Sequence, residues 1–111
     1  MGVNESSPFG GRTRTRSLLA LRLLGSSYPR ELSRVLETPL APVQRALRGL
    51  EQDGLVAART VGRTRLYTLN PIYFARGELA AYLARLADAD PALQRTVITL
   101  RRRPRRTGKP R

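Results

Sequence analysis

The sequence predicts a small α+β domain, mainly helical, and three observations carry that expectation. Apolar residues recur at helical spacing in five separate stretches. Two short runs of strand-forming residues flank a glycine-containing turn between the third stretch and the fourth. The chain has 111 residues, enough for one hydrophobic core and little beyond it.

Residues 12–24 contain neither Gly nor Pro. Leu18, Leu19, Leu21, Leu23 and Leu24 crowd one side, with Arg14, Arg16 and Arg22 interspersed, and Gly25 stops the helix. In Ser26-Ser27-Tyr28-Pro29 a hydroxyl cap precedes a proline in the first turn. A second, short helix is therefore expected from about Pro29 to Leu36, burying Leu32, Val35 and Leu36. Glu37-Thr38-Pro39 interrupts it. A third helix is expected over about 40–53, with Val43, Ala46, Leu47 and Leu50 as its buried stripe and Gly54 at the position after its end. Thr38 is the expected cap of that helix, with Pro39 at its first position. Pro42 then removes one early backbone donor or delays the start by a turn.

Val56-Ala57-Ala58-Arg59-Thr60 and Thr64-Arg65-Leu66-Tyr67-Thr68-Leu69 are the two expected strands, joined by the turn Val61-Gly62-Arg63. Asn70-Pro71 is expected to cap a fourth helix running to about Ala87, with an apolar stripe of Ile72, Leu79, Tyr82, Leu83 and Leu86. That stripe either completes the core or builds a dimer. After Asp88-Ala89-Asp90-Pro91, the residues Ala92, Leu93, Val97 and Leu100 suit a fifth helix within 88–103. The expected organisation is a flexible terminus at 1–9, the main domain at 10–87, this short helix, and a disordered basic tail at 104–111.

Charge narrows the functional classes. Twenty-one Lys+Arg stand against eight Asp+Glu, a net charge of +13, and the isoelectric point is about 11.7. A balance this basic points to a polyanion. Residues 91–111 hold eight of the basic residues and no acid, so 1–90 are only moderately basic. The residues 101–111 are expected to act as a flexible electrostatic arm. With no Cys and no His, the chain cannot form disulfides, thiolate or imidazole metal sites, or Cys–His and Ser–His nucleophiles. The acids are dispersed and suggest no general-acid pair, so neither an enzyme nor a cofactor is expected. No apolar run approaches a bilayer span, and the N-terminal ten residues lack the pattern of a signal peptide. The expected location is the cytoplasm, on the nucleoid.

Two short helices joined by a tight turn match the helix-turn-helix plan, in which the second helix enters the major groove. The segments Glu31-Leu32-Ser33-Arg34-Val35-Leu36, the run from Val43 to Val56, and Gly62-Arg63-Thr64-Arg65-Leu66-Tyr67 resemble those of winged helix-turn-helix transcriptional regulators, particularly ArsR-like ones. The resemblance covers about residues 9–87. It implies a winged helix-turn-helix with a two-stranded wing and C-terminal helices, double-stranded DNA as partner, and a homodimer. Metal-sensing members of the family bind ions through Cys or His, which this chain lacks, so no metal is expected.

The residues also support groove reading directly. If the third helix buries 43, 46, 47 and 50, then Ala41, Gln44, Arg45 and Arg48 form one exposed row. Gln pairs bidentately with adenine, Arg with guanine, and Ala can touch a thymine methyl. The hairpin adds Arg59, Arg63 and Arg65, with no acid between Gly54 and Gly77. Arg12, Arg14 and Arg16 are candidates for further phosphate contacts. The tip Pro39-Leu40-Ala41-Pro42 is less polar than the resemblance would imply. An RNA- or ribosome-associated basic protein and a winged-helix interaction module are the other classes considered. Six aromatics, several on apolar stripes, leave little for base stacking.

Overall fold

The computed structural model of the protein describes residues 9–102. The elements run α1 (Arg12–Leu24), β1 (Ser26–Ser27), α2 (Pro29–Leu36), α3 (Leu40–Gln52), β2 (Val56–Val61), β3 (Thr64–Leu69), α4 (Arg76–Asp88) and α5 (Pro91–Arg102). Helix α1 is the hub. It touches α2, α3, α4, α5, β1 and β3, and Leu18, Leu19, Ala20 and Leu21 are fully buried. Four consecutive buried residues mean that this turn of helix is enclosed on all sides rather than amphipathic.

The first three helices have the bounds that their apolar spacing implies. Helix α3 buries Val43, Ala46, Leu47 and Leu50 and packs against α1, α2 and β2. Its start differs from expectation. Pro39 is the cap residue and no side chain caps the helix. The Thr38 hydroxyl instead donates to the Leu36 carbonyl at 3.0 Å, and Ser33 Oγ donates to the Thr38 carbonyl at 2.6 Å. These bonds close the turn between α2 and α3. Pro42 sits third in the helix, where a backbone N–H has no intrahelical acceptor, so it breaks no helical bond.

The sheet has three strands rather than the expected two, in the order β1-β3-β2, all antiparallel. Ser26 and Ser27 pair with Thr68 and Tyr67, so they form a strand edge and not a helix cap. Two residues are too few to show an alternating pattern, which is why the pairing escapes sequence reading. The hairpin turn is Gly62-Arg63 alone, since Val61 still pairs with Thr64. Gly62 has φ +62° at the first central position, where a type II′ turn requires glycine.

Helix α4 also starts later than expected, at Arg76. Asn70 is used otherwise. Its Oδ1 accepts from the Ile72 N–H at 3.1 Å and its Nδ2 donates to the Gly54 carbonyl at 2.9 Å, which ties the end of β3 to the end of α3. The intervening segment carries Ile72 and Phe74 outward, 82% and 90% exposed. Leu79 and Leu83 are buried in the core, whereas Tyr82 is 40% exposed and its ring meets Phe9 edge-on at 5.5 Å. The stripe of α4 thus completes this chain's own core, without Ile72. Helix α5 closes the core with Leu93 and Val97. The expected flexible terminus and basic tail lie outside the described residues, apart from Phe9.

Two hydroxyls on α1 are buried. Thr15 Oγ1 donates to the Gly11 carbonyl at 2.9 Å. Among the described residues, Ser17 Oγ has no partner. A buried hydroxyl without a bond carries its full desolvation cost. Ser17→Ala is therefore expected to stabilise the fold by about 1 kcal/mol, seen as a higher urea midpoint at unchanged slope. A lower midpoint would show that the hydroxyl is bonded in solution.

Candidate nucleic-acid interface

Burying one side of α3 leaves Ala41, Arg45 and Arg48 exposed and Gln44 half-buried on the other. The wing lies beside this face. One groove of about 530 Å³ is lined by Gln44, Arg48 and Glu51 of α3 and by Arg63, Thr64, Arg65 and Tyr67 of the hairpin. A second, of about 730 Å³, continues past Gln44 and Arg63 to Tyr28, Arg30 and Arg34 around α2. Pro29, Gln44, Arg63 and Thr64 line both.

The sheet register sorts the hairpin arginines. Thr60 pairs with Arg65 and Ala58 with Tyr67, so those four share one face; Arg59 pairs with Leu66 on the other. Arg59 accordingly lines a shallow depression of about 290 Å³ with Ser26, Ala57 and Thr68. The structure brings Gln44, Arg48, Arg63 and Arg65 together, with Ala41 and Arg45 on the exposed side of the same helix. Arg59 stands apart from them.

Arg65 is not a free cation. It donates to Glu51 Oε2 at 2.7 Å, and its guanidinium lies 5.8 Å from the centre of the Tyr67 ring. The hydrogen bond to Tyr67, followed by the Glu51 charge, holds its pKa above the ordinary arginine value, so it stays cationic at any working pH. The pair tethers the wing to the C-terminal half of α3 while leaving Arg63 exposed at the turn.

Other arginines serve the fold. Arg14 reaches the Phe9 carbonyl and forms an ion pair with Asp53. It crosses α3 over Gly49, where any Cβ would collide with its guanidinium. Arg16 donates to the Leu36 carbonyl at 3.1 Å, and Arg101 to the Leu23 carbonyl at 3.0 Å, each satisfying a carbonyl at a helix end. Arg14 and Arg16 are thus engaged internally rather than offered to phosphates, while Arg12 is exposed. Arg101 and Arg102 belong to a helix and not to a free arm, and 103–111 lie outside the described residues. Sequence reading missed Arg30 and Arg34. They are spaced i, i+4 on the exposed side of α2, opposite Leu32, Val35 and Leu36, and that spacing was the available signal.

No protein-family model matches the chain, and no curated protein is significantly similar to it. Solved structures are similar. Reduced HlyU from Vibrio cholerae N16961 matches with a TM-score of 0.57 at 29% identity, over 68% of this chain and 77% of that one. The E41A mutant of Lactococcus lactis ZitR matches in fold with a TM-score of 0.62 at 20% identity, over 83% of this chain and 62% of that one. Both are winged-helix transcriptional regulators of the ArsR/SmtB family. The fold is a winged helix-turn-helix. In winged-helix terms, α2 and α3 are the helix-turn-helix and β2–β3 the wing. Among the described residues, no cluster of three or more His, Cys, Asp or Glu is placed to hold a metal ion, and no helix is long and apolar enough to cross a membrane.

Arg14→Ala is expected to lower the unfolding free energy by about 1–2 kcal/mol, since it removes the Asp53 ion pair and the bond to the Phe9 carbonyl. Chemical denaturation checks this, and unchanged stability would place Arg14 among the surface cations.

Proposed function

We propose that the protein is a sequence-specific, double-stranded DNA-binding transcriptional regulator and not an enzyme. The observation that carries the reading is the shared groove: Gln44 and Arg48 of α3 and Arg63 of the wing face one concave surface. An α-helix fits the major groove of B-DNA, and the wing tip then meets the flanking backbone or adjacent minor groove. In this reading Gln44, Arg45 and Arg48 address base edges, with Ala41 toward a thymine methyl, while Arg63 neutralises phosphate. Arg65 acts as a brace that sets the wing's height. Arg59 contributes only through its long-range charge. HlyU and ZitR, as transcriptional regulators, support the same use of the fold.

The protein acts as a homodimer on the nucleoid, in the cytoplasm. Ile72, Phe74 and Ile98 are large apolar side chains left in solvent by one protomer, which favours association with a second. Two-fold symmetry would set the reading helices about 34 Å apart, one helical turn of DNA.

Selection from a random duplex library tests both statements, and the expected product is a two-fold motif with half-sites one turn apart. Arg45→Ala is expected to weaken the selected site by about 1–3 kcal/mol and random duplex much less. Arg63→Ala is expected to weaken both alike and reduce the salt slope by about one. Equal losses on both duplexes for Arg45→Ala would contradict base reading. Recovery of structured RNA in preference to duplex would favour the RNA-associated alternative.

A further inference from the structure

A cleft of about 620 Å³ opens between α2 and α5, away from the wing. Val35 and Leu100 supply an apolar wall; Arg34, Arg95, Thr99 and Glu31 supply polar groups. Neither guanidinium is bonded to another described residue. Glu31 is held by the hydroxyl of Ser27, which is 1% exposed and donates to its Oε1 at 2.6 Å. The volume lies within the range of small-molecule sites.

We propose that this cleft binds a small monocarboxylate with an apolar body. Guanidinium groups pair bidentately with carboxylates, and the apolar wall suits a ring or branched chain. Charge balance selects the class. Two arginines and one glutamate leave a single positive charge, which a monoanion neutralises. A dianion such as a phosphate monoester would face the fixed Glu31 carboxylate with its second charge.

The site also reaches the DNA-facing groove. Glu31 and Arg34 line both the cleft and the groove between α2, α3 and the wing. A carboxylate in the cleft draws the Arg34 guanidinium away from that groove, so occupancy lowers duplex affinity. This second step rests on the DNA-binding reading; the ligand site does not.

The test titrates benzoate into the ¹⁵N-labelled full chain at constant ionic strength and follows the backbone amides. Saturable shifts confined to residues 31–35 and 92–100 are expected, with millimolar affinity. The neutral isostere benzamide, and benzoate with the surface variant Arg95→Gln, are each expected to bind about tenfold more weakly. Absence of saturable shifts, shifts elsewhere, or equal affinity in Arg95→Gln would overturn the site. Saturating benzoate is then expected to weaken duplex binding by wild type and not by Arg95→Gln. Duplex binding indifferent to bound benzoate would overturn the coupling. Benzoate binding by a chain that never binds duplex would instead refute the DNA-binding reading and leave the site standing.

Discussion

The rotation of α3 about its own axis is the constraint on which the rest depends. Val43, Leu47 and Leu50 are fully buried, and each is worth about 1.5–3 kcal/mol relative to exposure. A rotation that exposed them would sacrifice most of that, so the helix has one permitted orientation. The row Ala41, Gln44, Arg45 and Arg48 then faces away from the core by geometry alone. A rigid core is thus what gives the outward face a defined register, which groove reading requires.

The second ordering principle is the partition of cations. A net charge of +13 says only that the chain favours polyanions. The structure divides the arginines by partner. Arg14, Arg16 and Arg101 are drawn to backbone carbonyls, and Arg14 also to Asp53. Arg65 pairs with Glu51 and positions the wing. Arg45, Arg48 and Arg63 remain in solvent on one side of the molecule. The engaged group spends its charge on internal geometry, and the exposed group is what a duplex would encounter.

Helices α1, α2 and α3 and the hairpin were legible because their signals are local: apolar spacing, a proline at a helix start, and a glycine where φ is positive. The failures share a physical cause, which is dependence on a distant partner. Strand β1 exists only because Tyr67 and Thr68 pair with it. Asn70 resembles a helix cap, but its side chain is spent on Ile72 and Gly54, and α4 begins at Arg76. Arg65 reads as one more wing cation until Glu51, fourteen residues earlier, is seen beside it. Thr38 lost its expected capping role to the turn that its own hydroxyl closes. Within the candidate interface the α3 row was legible from periodicity. The separation of Arg59 from Arg65 follows from strand alternation once the register is known.

The central claim is that the outward face of α3 lies in a major groove, and chemical protection of the DNA tests it most directly. Dimethyl sulfate methylates guanine N7 in the major groove and adenine N3 in the minor groove. On the selected duplex the account predicts that wild-type protein shields guanine N7 within each half-site. It predicts further that Arg45→Ala or Arg48→Ala unmasks a particular guanine while the others stay protected. Guanine N7 left fully reactive under saturating protein, with protection only at adenine N3, would contradict it.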